Sequence, residues 1–155
     1  MVRVELTVEI ACPAADVFAY LTNVEKLPEW QRSAVKSRSD GPLAEGSRIT
    51  ERRRLFGHEA ETELEVTAYE PPERLTLRAL DGPVRFTVDH RLDEEDGATR
   101  LHLVCEAKPG GMLRFAGPVV ERRAREEFRR DFERLKEILE ARSASPSARG
   151  SSPTP

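Results

Sequence analysis

The chain has 155 residues, 38% hydrophobic and 34% charged, with a formal net charge of −3. That length suits one domain with a segregated core and a charged exterior, and the slightly acidic balance argues against general attraction to nucleic acid or to an anionic membrane. Two cysteines, Cys12 and Cys105, are too few for a disulfide scaffold and lack zinc-ligand spacing. The opening MVRVELTVEI has no apolar run of signal-peptide length, and nothing later is long enough to span a bilayer. A cytoplasmic protein with no stable membrane anchoring is expected.

Val2, Val4, Leu6, Val8 and Ile10 alternate with polar residues, which predicts a strand with one buried face. PAADVFAYLTNVEKLPEW follows, from Pro13 to Trp30. Pro13 suits a helix start, Asp16 favours the positive end of the dipole, and Val17, Tyr20 and Leu21 share a face. Thr22 and Glu25 have capping-box spacing for a second short helix, which Pro28 is expected to end. Helices this short are not stable alone and must lie on a sheet.

A weaker strand is predicted over Arg32–Ser39, then turns at Asp40–Pro42 and Glu45–Ser47. Arg48–Phe56 and His58–Glu70 read as two strands joined tightly at Gly57, the second with Ala60, Thr62, Leu64, Val66 and Ala68 inward. Leu75, Leu77 and Ala79 mark the next strand. Val84, Phe86, Val88, His90 and Leu92 mark another, and after a turn at Glu95–Gly97 come Leu101, Leu103, Cys105 and Ala107. Such strands with short turns form an antiparallel sheet wet on one face. Its cover is a long helix from about Gly111 to Arg142, with Val120, Ala124, Phe128, Phe132, Leu135 and Leu139 at helical spacing and Pro118 at a kink or first turn. Ser143–Pro155 is rich in Ser, Pro, Ala and Gly and reads as a disordered tail after a single domain over 1–142.

This order, with the pattern PxxxVFxYLTNxExxPEW, resembles the START-like (SRPBCC, helix-grip) superfamily, and within it the bacterial polyketide cyclase/dehydrase-like and lipid-transport group. Further matching pieces are Gly46–Ser47, YEPPERL at Tyr69–Leu75, GATRL at Gly97–Leu101 and PGGMLRF before the long helix. The resemblance implies an α+β helix-grip fold: a curved antiparallel sheet, with two short helices after the first strand, wrapping a long C-terminal helix. It also implies a hydrophobic cavity between sheet and helix. It implies no shared catalytic residue.

The inward polar residues are the ones to weigh. His90 and His58 have inward parity, as acid–base or hydrogen-bonding groups or as a structural and an exposed histidine. Two registers stay open over Arg48–Phe56. One turns Ile49 and Leu55 inward and brings Glu51 and Arg53 with them as an ion pair; the other buries Thr50 and Phe56. His90, His58, Glu51 and Arg53 are therefore the catalytic candidates. Cys105 reads as a small buried hydrophobe. His58, His90 and His102 lack metal-ligand spacing, and no phosphate loop, dinucleotide glycine pattern or nucleophile elbow occurs, so no metal and no cofactor are expected. Arginines on the long helix are interleaved with acids at salt-bridge spacing, which reads as a solvated face and not a nucleic-acid surface.

Three functions compete. The first is binding of a lipid- or polyketide-like small molecule, lined by Leu64, Phe86, Val88, His90, Leu103, Met112, Phe115, Val119 and Val120, with Trp30 nearby. The second is a polyketide cyclase/dehydratase-type enzyme using cavity polar groups. The third is a protein-interaction domain of the chaperone-activating type, with a nearly filled core. Binding is favoured, because the inward registers are mostly apolar. Ligand identity and homodimer formation are left open by the sequence.

Overall fold

The computed structural model describes residues 1–55, 57–82, 84–109 and 117–144. The elements are β1 (Val2–Ile10), α1 (Ala14–Leu21), a 3-10 turn (Val24–Lys26), α2 (Leu27–Trp30), β2 (Ala34–Ser39), β3 (Arg48–Leu55), β4 (His58–Glu70), β5 (Arg74–Ala79), β6 (Val84–Glu95), β7 (Ala98–Pro109) and α3 (Gly117–Ala144). The seven strands form one antiparallel sheet in the order β1-β7-β6-β5-β4-β3-β2. Every connection after β2 is a hairpin between sheet neighbours, and β1 closes against β7. This is the curved antiparallel α+β architecture expected, with α3 packed most extensively along β1.

Turn chemistry sets the register. Between β6 and β7 only Asp96 and Gly97 remain, at φ 54° and φ 78°. Two successive left-handed residues make the tight hairpin whose twist matches the strands. Gly82 sits at φ 91°, and a Cβ there would clash with the Thr62 side chain, so the β5–β6 turn requires glycine on both counts.

Three local expectations are corrected. Pro28 lies in the first turn of α2 instead of ending a helix, because a residue with no N–H is tolerated where the N–H has no helical partner. Thr22 caps no second helix; its hydroxyl donates to the Phe18 carbonyl at 2.7 Å and closes α1, since Val24–Lys26 forms only a 3-10 turn. In β4 the ladder slips between Val66 and Ala68. That bulge reverses the alternation, so Tyr69, and not Ala68, joins the core, its ring 5.5 Å from Phe18.

The main core lies beneath the C-terminal half of α3. Phe132, Leu135 and Leu139 are buried there with α1, α2 and the β1, β3–β7 inner face. Trp30 meets Phe132 edge-on at 5.0 Å, a favoured aromatic geometry. Polar ties fix the same end: Lys136 Nζ donates to the Glu9 carbonyl at 2.7 Å, and Glu140 accepts the Ala11 N–H at 2.8 Å. Glu94 accepts the Ala14 N–H at 2.7 Å and thereby satisfies an open donor of α1. Among the described residues no helix is long and apolar enough to cross a membrane.

Candidate functional site

Toward the start of α3 the packing against the sheet changes. Val2, Val4, Val88 and Cys105 form a small separate buried cluster. Phe86, Ala107, Val120, Ala124 and Phe128 pack on it while staying only half-buried. Leu77 and Ala60, on the inner face of β5 and β4, are also half-buried. These apolar side chains face the inner side of the sheet and keep partial solvent access, as the lining of a ligand cleft would.

A polar network stands at the β2–β3 side. Ile49 is buried and Glu51 lies on the same face of β3, so the register that turns Glu51 and Arg53 inward is the one adopted. Arg53 Nε donates to Glu51 Oε2 at 3.0 Å and a second guanidinium nitrogen to Oε1 at 3.1 Å, a two-point pairing. The same guanidinium donates to Ser33 Oγ at 2.9 Å and to Gln31 Oε1. Arg53 thus joins β3 to the segment after α2. Burial opposes its charge, but Glu51, with Glu127 and Asp131 of α3, outweighs that and raises its pKa.

Asp131 is 7% exposed. Its Oδ1 accepts the Arg32 N–H at 3.2 Å. Burial, helped by Glu127 one turn earlier, pushes its carboxyl up to about 6, against the opposing pull of that N–H and of Arg53. Ser37 stands directly opposite Glu51 on the ladder and is buried. Among the described residues the Ser37 hydroxyl and the Trp30 indole N–H, both buried, have no hydrogen-bond partner, a costly state for polar atoms shut away from water.

The other sequence-predicted residues are placed as follows. His90 is corrected: it is 5% exposed, its Nδ1 is 3.0 Å from the Leu75 carbonyl, and its ring lies 6.1 Å from that of Phe132. The carbonyl can only accept, so the proton sits on Nδ1, and burial lowers the pKa and keeps the ring neutral. It is a hydrogen-bonded core histidine, enclosed because α3 crosses the sheet over it. Leu64 and Leu103 are likewise closed into the main core, with no surface left for a ligand. His58 is exposed at the β3–β4 hairpin. Val119 is 52% exposed, on the side of α3 turned from the sheet. Trp30 is 3% exposed and serves as a packing anchor against Phe132. Burial pushes the Cys105 thiol up to about 12, which keeps it protonated and unreactive. Phe86, Val88 and Val120 do gather at the half-open end. Met112, Phe115 and Phe56 lie outside the described residues, as does the predicted tail beyond Ala144.

Sequence reasoning missed Gln31, Ser33, Ser37 and Asp131. Asp131 carried a signal: it stands three residues after Phe128 and four before Leu135, on the apolar stripe itself. The polar network lies at the β2–β3 side, and the half-buried apolar residues lie on β6, β7 and the start of α3. Among the described residues Glu51 is paired with Arg53, and His90 is closed off from solvent.

Among the described residues two open grooves are present, neither lined by the half-buried apolar residues above. One, of about 280 Å³, runs between α2 and α3 and is lined by Pro28, Glu29, Trp30, Gln31, Arg32, Arg130, Asp131 and Arg134. The other, of about 530 Å³, is formed by Ala15, Phe18, Ala19, Thr22, Tyr69, Pro71 and Pro72.

Residues 1–140 match the family model described as polyketide cyclase / dehydrase and lipid transport. No curated protein is matched by the sequence. Among solved structures, a START superfamily protein from Mycobacterium smegmatis superposes with a TM-score of 0.78 at 16% identity, covering 90% of this chain and 97% of that one. TTHA0849 from Thermus thermophilus gives 0.78 at 16% identity, with 92% and 99% covered. The di-domain ARO/CYC BexL of the BE-7585A biosynthetic pathway gives 0.74 at 15% identity, with 94% of this chain and 48% of that one covered. At these identities the likeness is one of fold.

Proposed function

The chain belongs to the polyketide cyclase / dehydrase and lipid transport family, and from that premise we propose that it binds a hydrophobic or aromatic small molecule in the cleft between the sheet and α3. The observation that carries this reading is the half-open apolar wall of Phe86, Val120, Ala124 and Phe128. Apolar side chains facing the interior of a fold while still reachable by solvent gain free energy when a ligand covers them, about 25 cal/mol per Å². Binding is favoured over catalysis because the one inward histidine is enclosed in the core, out of reach of a ligand in the cleft.

The test is binding of a neutral fluorescent probe, N-phenyl-1-naphthylamine, together with mass spectrometry of small molecules that co-purify with the protein. Saturable probe binding, displaced by the co-purifying molecule and weakened about tenfold or more by Phe86→Glu, supports the reading. A folded protein that carries no apolar molecule and does not bind the probe overturns it.

A further inference from the structure

We propose that Asp131 is a pH-sensitive latch between α3 and the Gln31–Ser33 segment after α2, closed in acid and loosened at neutral pH, and that it controls entry to the neighbouring cleft. The latch is defined by its own contacts. Its control of entry rests on the ligand-binding reading above.

The segment is held from two sides. Arg53 of β3 reaches Gln31 and Ser33, and Asp131 of α3 accepts the N–H of Arg32, between them, at 3.2 Å. The two grips differ in kind. Glu51 meets the Arg53 guanidinium at two points, so the grip from the sheet is a compensated ion pair. Asp131 has no such partner. It is 7% exposed, and among the described residues it accepts that one N–H and forms no ion pair. The charged groups facing it do not make up the lack. On α2, Glu29 is taken by Lys26 and the Tyr20 hydroxyl. On α3, Arg134 faces Glu137, Arg130 is exposed to water, and Glu127 stands one turn earlier as a like charge. The Arg32 side chain is also exposed. Three acids, Glu51, Glu127 and Asp131, therefore surround the single half-buried cation Arg53.

An ionised Asp131 lacks the hydrogen bonds and the counter-charge that offset burial. Protonated, it keeps a carbonyl oxygen for the Arg32 N–H and escapes the repulsion of Glu127. Burial first, then Glu127, accordingly raise its carboxyl from 3.8 to about 6, against the Arg32 N–H, Arg53 and Arg130. Any opening that hydrates Asp131 restores its ordinary ionisation, so opening and loss of the proton favour each other. The contact holds while Asp131 is protonated and gives way as the pH rises through about 6. The interval from 3.8 to about 6 limits the change in the opening equilibrium to about 100-fold. Phe128, three residues earlier on α3, belongs to the half-open apolar face, so loosening at Asp131 frees that wall.

The Arg32 N–H is the reporter, followed by amide hydrogen exchange on the full chain and expressed as protection relative to an unstructured peptide. Protection should fall about tenfold or more from about pH 4.5 to about pH 7.5. It should not change with pH in Asp131→Asn, which keeps an oxygen acceptor without the charge. Glu127→Gln should move the midpoint to lower pH, and His90→Gln, which removes a second buried titrating group, should leave it in place. The rate of N-phenyl-1-naphthylamine entry should rise over the same pH range in the wild type and stay constant in Asp131→Asn. Wild-type protection that ignores pH, or an equal change in Asp131→Asn, overturns the latch. Protection that follows pH while probe entry does not overturns its control of the cleft. A chain that binds no probe at any pH overturns the cleft reading and with it the control of entry, and amide exchange alone then decides the latch.

Discussion

The two halves of α3 meet the same sheet and build different things there. The C-terminal half, from Phe132 to Leu139, presses Phe132, Leu135 and Leu139 into a large core with α1, α2 and most strands, and is tied to β1 by Lys136 and Glu140. The N-terminal half lays Val120, Ala124 and Phe128 over a small cluster and leaves them half-covered. One helix thus supplies both the closed core and the half-covered apolar face proposed to receive a ligand. A closed end fixes the helix strongly enough that the other end can stay partly unpacked, as the low-stability regions of binding proteins do.

The largest expected effect breaks the closed end. Phe132→Ala should cost about 3–5 kcal/mol in urea unfolding, as a fully buried aromatic whose removal leaves a cavity. Phe128→Ala, four residues earlier and half-buried, should cost less than half as much while weakening probe binding. Equal losses would erase the distinction between the two halves.

Asp131 sits where the halves meet. Its carboxyl is raised from 3.8 to about 6, so ionising it in the folded state costs stability. That cost is absent below about 3.8 and complete above about 6. Asp131→Asn keeps an oxygen for the Arg32 N–H and should stabilise the protein at pH 7.5 by about 1–3 kcal/mol, with the gain fading toward pH 4. His90, whose pKa is lowered, acts in the opposite direction, losing stability as the pH falls below its ordinary value of 6.5. It does so equally in wild type and variant, so the difference between their unfolding curves isolates Asp131. A gain that grows toward pH 4 would contradict the assignment.

A smaller effect sharpens the position of His90. His90→Gln should lower stability by about 0.5–1.5 kcal/mol through the weakened bond to the Leu75 carbonyl, and should leave N-phenyl-1-naphthylamine affinity unchanged. A tenfold affinity loss with the fold intact would return His90 to the cleft wall. The smallest effect is expected outside: Arg129→Ala and Val119→Ser, both on exposed positions of α3, should each shift stability by less than about 0.5 kcal/mol. A larger shift from Val119 would mean that this side of the helix is covered.

Sequence alone determined the element order, the inward face of most strands, the stripe of α3 and the family resemblance. Those follow from periods of two and of about 3.6 residues, which report direction from the backbone and need no knowledge of the partner. It could not choose the register of β3, because Glu51 and Arg53 are acceptable inside only as a pair, and pairing is settled by Ser33 and Gln31 arriving from α2. It placed Ala68 inward where a bulge turned Tyr69 in, because one extra residue leaves no trace in composition. It gave His90, Leu64, Val88 and Phe86 the same inward direction. Only the path of α3 across the sheet decided that the first two are sealed in the main core, that Val88 is buried in the small cluster, and that Phe86 stays half-open beside it. Direction is a local property of the chain, whereas depth depends on which distant element lies overhead, and that is decided by packing the whole molecule at once.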